Sequence, residues 1–117
     1  MFSFSTKKPE NLSYGVVGLG RFGYILATEL AAYGYDLLVV DTDESIVQDL
    51  RTVTENAIVV DGYDKKSLKD SGVKNCDVVI VCLDEELEKS LLVTLNLINA
   101  GVKKVISIAN TSEHGEI

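Results

Sequence analysis

A short apolar run that opens into glycines and then into a helix constrains this chain more than any other feature. Residues 12–17 read as a buried strand, Gly18-Leu19-Gly20-Arg21-Phe22-Gly23 follows, and Ile25, Leu26 and Leu30 recur at helical spacing as far as Ala32. A second apolar strand over 37–40 then ends in Asp41. A lone G-x-G-x-x-G means little, but strand, glycines, helix, strand and acid in that order form a dinucleotide-binding fingerprint. Each glycine has its own task in that reading. Gly18 permits the tight turn, Gly20 lets a pyrophosphate approach the backbone, and Gly23 lets helix and strand pack closely. Free N–H groups at the helix start then face the phosphate.

The alternation continues along the chain. It predicts a helix over 45–53 capped by Asp43 or Thr42, a strand over 57–60, and a short helix over 65–71 that Gly72 ends. A continuous apolar strand over 77–83 reads as covered on both faces. A helix over 85–100 follows, with Leu87, Leu91, Leu92, Leu95 and Ile98 as its inner face, and then a last strand over 104–108. Strands alternating with helices pair in parallel through right-handed crossovers. The expected fold class is α/β: a Rossmann-like doubly wound parallel sheet in the order 3-2-1-4-5, with helices on both faces. The ligand is expected at the carboxyl edge of the switch point. Residues 1–11 have no period and read as a mobile leader, 12–109 as the nucleotide-binding domain, and 110–117 as a tail opening a missing crossover segment.

Bulk properties narrow the function. A chain of 117 residues makes one domain and has no room for a separate substrate domain. A formal charge of −7 without a basic stripe argues against nucleic acid. It also requires any nucleotide to be attracted locally, by backbone N–H groups and by Arg21. Cys76 and Cys82 are too few for a disulfide framework and read as buried free thiols of a reducing compartment. No apolar run approaches the ~20 residues of a membrane span, and no signal-peptide core is present, so an intracellular chain is expected.

The residues expected to carry the site lie at one sheet edge. Asp41 can accept both ribose hydroxyls of an adenosine and repel a 2′-phosphate; with Thr42 and Asp43 after it and no arginine nearby, this favours NAD or another adenine nucleotide over NADP. Asp61 either takes a hydrogen bond from the adenine amino group or belongs to a plain Asp-Gly turn. Arg21 either swings over the phosphates or is a solvated surface arginine, and Phe22 at the turn reads as packing rather than stacking. Leu83 closes the fourth strand at the same edge, followed by Asp84-Glu85-Glu86, which suit a helix amino terminus. No catalytic residue and no metal set are expected. The sole histidine is His114 in the tail, and no Tyr-x-x-x-Lys pair occurs. Binding without chemistry fits better than the alternative, the cofactor half of a small NAD-dependent dehydrogenase.

These segments together resemble a known family. Residues 14–23, Leu38-Val39-Val40-Asp41-Thr42-Asp43 and Val60-Asp61-Gly62-Tyr63-Asp64, continued by Gly101-Val102-Lys103-Lys104 and Asn110-Thr111-Ser112-Glu113-His114, are similar to the nucleotide-binding half of a regulator of potassium conductance. That module is the amino-terminal part of Trk- and Ktr-type potassium uptake regulators. The resemblance implies a cytoplasmic regulatory domain that binds NAD(H) or ATP/ADP, assembles as dimers or rings, and gates a membrane potassium transporter from the inner face of the membrane. It implies Arg21 at the phosphates, Asp41 at the ribose and Asp61 by the adenosine. One departure is Val60 before Asp61, where many members carry glycine.

Overall fold

A computed structural model of the chain describes residues 11–83 and 87–108. Five parallel strands form one sheet: β1 (Ser13–Val17), β2 (Asp36–Asp41), β3 (Asn56–Val59), β4 (Val78–Val81) and β5 (Lys104–Ser107), in the order β3-β2-β1-β4-β5. The helices between them are α1 (Arg21–Ala32), α2 (Glu44–Leu50), α3 (Lys65–Ser71) and α4 (Leu87–Asn99). A 3-10 turn, Val73–Asn75, joins α3 to β4. The order is the one expected from the alternation of the sequence.

The core follows from the two-residue period of the strands. Val16, Val39, Val78 and Ile80 point to one face, where they meet Ala27 of α1 and Val47 and Leu50 of α2. Val17, Val40, Val79 and Val81 point to the other, against Leu68 of α3 and Val93 and Leu97 of α4. Val16 pairs with Val39 on one side and Ile80 on the other, so both edges of the central strand are hydrogen-bonded. β4 is buried at every position, as its unbroken apolar run requires. Cys76 and Cys82 are both buried thiols outside any disulfide.

Three local expectations need correction. First, α2 stops at Leu50 rather than running to 53. Residues 51–54 tighten into a turn, and the Thr54 hydroxyl donates to the Leu37 carbonyl at 2.8 Å, drawing the chain into β3. Second, Phe22 is not packed: it is 46% exposed. Third, the leucine stripe of α4 does not face inward. Leu87, Leu91, Leu92, Leu95 and Ile98 are all exposed, and the buried residues are Ser90, Val93 and Leu97. Ser90 is small enough to bring α4 close to the sheet, and its hydroxyl lies 2.8 Å from that of Ser107 on β5. Asp84-Glu85-Glu86, residues 1–10 and the tail from 109 lie outside the described residues.

Candidate nucleotide-binding site

The glycine turn is fixed by crowding from three sides. Gly18 has φ +98, a left-handed conformation that side chains resist. A Cβ there would also stand 2.6 Å from the Cys82 carbonyl oxygen and 2.8 Å from Leu83 Cδ2. Leu83 therefore lies over the turn, at the edge where the sequence places it. Gly23 is tighter still, since its Cβ would come within 2.0 Å of the Gly18 carbonyl oxygen. The turn is tied to both neighbouring strands: Gly18 N–H donates to the Val40 carbonyl at 2.9 Å, and Cys82 N–H to the Val17 carbonyl at 2.7 Å.

Gly20 begins α1 and supplies no side-chain cap, and the first turn of the helix holds no acid. Among the described residues no side chain caps the opening N–H groups of the helix, which suit an outside acceptor. Gly20 itself sits at φ −69, open to any residue, so its value here is the missing side chain. Arg21 and Phe22 are exposed at this opening.

Asp41 reaches the same place from the end of β2. One carboxylate oxygen accepts Leu19 N–H at 2.6 Å, and the other accepts Asp43 N–H at 2.8 Å. It is not the cap of α2; Asp43 is, accepting Ser45 and Ile46 N–H. Asp41 is therefore a carboxylate held against the glycine turn, each oxygen using one lone pair on a backbone amide. Remaining lone pairs can still accept hydroxyl donors.

Asp61 comes next after Val60, whose N–H donates to the Asp41 carbonyl at 3.1 Å. It follows β3 and lines a small cavity of about 190 Å³ beneath α3, with Ser67 and Asp70. Tyr63, a residue with no expected site role, lies within electrostatic reach of Asp41. Its hydroxyl is pushed up to about 12, first by burial and then by the Asp41 charge, with hydrogen bonds from Thr42 opposing. Thr42 thereby joins the site through Tyr63. The available signal was an aromatic residue inside an Asp-Gly-Tyr-Asp turn, where turn chemistry alone does not need one. Among the described residues no group of His, Cys, Asp and Glu could hold a metal, and no helix is long and apolar enough to cross a membrane.

Comparison with known proteins places this arrangement. The chain is 33% identical over 104 residues to the Ktr system potassium uptake protein C of Bacillus subtilis (strain 168), covering 89% of this chain and 47% of that protein. The chain thus spans about half the length of the curated relatives it matches. The solved TrkA-N domain of the inner membrane protein ybaL from Escherichia coli shares the fold at a TM-score of 0.60 and 16% identity, covering 93% of this chain and 95% of that one. An imine reductase variant from Myxococcus stipitatus, in complex with NAD+, shares the fold at 0.61 and 19% identity, covering 85% of this chain and 32% of that one. The TrkA-N domain family model matches residues 14–117, from within β1 to the carboxyl end, and the chain belongs to that family.

Proposed function

We propose that this chain is the nucleotide-binding module of a regulator of potassium uptake, taking NAD(H) or ATP/ADP at the glycine turn and controlling a membrane transporter partner. The observation that carries the reading is a pairing. An uncapped α1 amino terminus lies beside a carboxylate already fastened to the same turn. The helix start suits a phosphate, and Asp41 suits ribose hydroxyls. The same carboxylate disfavours a 2′-phosphate by charge. Arg21 folds over the phosphates, supplying positive charge locally in a chain of net −7.

Relatives named as potassium uptake proteins favour binding over turnover. Ligand exchange would regulate by binding two arrangements of the protein with different affinity. The module works as a homo-oligomer on the cytoplasmic side, held at the membrane through its transporter. Calorimetry tests the site. Asp41→Ala should weaken adenosine, ADP and NAD alike by about tenfold or more, and undiminished affinity would remove Asp41 from the site. Arg21→Ala should weaken ATP more than adenosine; equal losses would rule out a phosphate role.

A further inference from the structure

Away from the glycine turn, a groove of about 600 Å³ runs between the start of α3 and α4. Its floor is apolar, made by Tyr63, Leu92 and Val93, with Leu92 60% exposed. Its rim is cationic, made by Lys65, Lys66 and Lys89. Three of the 11 basic residues of a chain with net charge −7 therefore border one apolar groove. Asp64 also lines the groove, so three lysines against one carboxylate leave the lining with a positive surplus. Asp64 accepts the Ser67 N–H at 3.3 Å and hydroxyl at 2.8 Å, and Asp70 pairs with Lys66 at 3.2 Å. That exposed pair is weak and exchanges readily.

Tyr63 joins the groove to the candidate nucleotide site. Lys89 Nζ lies 5.7 Å from its ring centroid, and Asn96 of α4 donates to its carbonyl at 3.4 Å. Its hydroxyl feels the Asp41 charge and the opposing hydrogen bonding of Thr42. One residue thus contacts α4 through its ring and its carbonyl and lies within electrostatic reach of Asp41, the carboxylate expected to hold the ribose.

From this juxtaposition we infer that the groove docks an acidic amphipathic segment of a partner protein, and that Tyr63 makes the docking depend on the nucleotide. Apolar side chains of the segment would cover Tyr63, Leu92 and Val93, while its carboxylates meet the three lysines. Only the nucleotide dependence rests on the function proposed above. Charge complementarity selects this occupant: the field of the whole chain repels an acidic segment, and the groove reverses that sign locally.

That reversal gives a sharp test by fluorescence anisotropy on the purified chain. The probe is a labelled synthetic helix with leucine at i, i+3, i+4 and i+7 and glutamate elsewhere; its control carries lysine for glutamate. The groove predicts that the glutamate helix binds about tenfold more tightly at low salt. A K65E/K66E variant with an unchanged melting curve should lose that preference. Tighter binding of the lysine helix to the unaltered chain, as net charge alone would favour, overturns the proposal. Saturating ADP or NAD should shift glutamate-helix affinity several-fold in the unaltered chain but not in Tyr63→Phe, and equal shifts in both overturn the role of Tyr63. Vesicles of equal phosphatidylcholine and phosphatidylglycerol that pellet the chain, but not the lysine variant, would make this a lipid surface and overturn a protein occupant. A parallel calorimetric titration with ADP and NAD separates the two readings. No nucleotide heat with the glutamate preference intact sinks the nucleotide site and upholds the docking surface.

Discussion

The first turns of α1 and of α2 and α3 are built in opposite ways. α2 starts at Asp43, whose carboxylate accepts Ser45 and Ile46 N–H, and Glu44 adds a second acid to its first turn. α3 starts at Asp64, which accepts Ser67 N–H. Each of these helices satisfies its own opening amides and presents negative charge to anything approaching. α1 starts at Gly20 with neither cap nor acid, although a capping side chain there would stabilise the helix by about a few tenths of a kcal/mol over glycine. The Asp41 carboxylate takes the Leu19 amide just before the helix rather than a helix amide. Withholding the cap sacrifices a little stability and leaves a place where a phosphate is favoured.

The comparison breaks most severely at Gly23. An alanine there would press its Cβ to 2.0 Å from the Gly18 oxygen and 3.1 Å from Cys82 Cβ, against backbone that cannot step aside. Gly23→Ala should cost about 3 kcal/mol or more in urea unfolding and abolish nucleotide binding. An unshifted midpoint would show that α1 can ride away from the turn. A smaller change tests the missing cap directly. Gly20→Asp gives α1 the start that α2 and α3 already have, in a backbone conformation that any residue adopts. The helix should hold or gain stability while ATP affinity falls about tenfold, because the new carboxylate takes the amides and repels the phosphate. Unchanged ATP affinity would dissociate the uncapped helix from ligand binding.

What could be read in the residues divides along the same line. The turn, α1 and Asp41 were legible because local sterics and sequence order determine them, and α3 was legible to the residue because Asp64 opens it and Gly72, at φ +86, closes it. The inward face of α4 was not legible. Its leucine stripe and its Ser90, Val93 and Leu97 stripe are both apolar enough to be buried, and contacts distant in sequence decide between them: Ser90 with Ser107, and Asn96 with the Tyr63 carbonyl. The early end of α2 likewise depends on Thr54 reaching Leu37 across the sheet. Tyr63 was hidden inside residues that make a turn unaided, two positions beyond Asp61, the more conspicuous acid.

The subtlest test uses acid. Asp43 is held below the ordinary carboxylate range first by the Ser45 hydroxyl and then by the Ile46 and Ser45 amides, and Asp64 is lowered chiefly by Ser67. A carboxylate whose folded pKa lies below its unfolded value of 3.8 contributes stability that is complete above that value and lost as pH falls through the folded one. The caps of α2 and α3 should therefore weaken below about pH 4, whereas α1 has no capping acid to protonate. An Asp43→Asn, Asp64→Asn double variant separates charge from capping, since asparagine caps a helix about as well as aspartate but does not titrate. Its melting temperature near neutral pH should stay within a few degrees of the parent, and its decline between pH 5 and pH 3 should be shallower. Parallel declines in parent and variant would show that these two caps carry no titrating share of stability. The electrostatic half of the contrast with α1 would then fall, leaving only its hydrogen bonds.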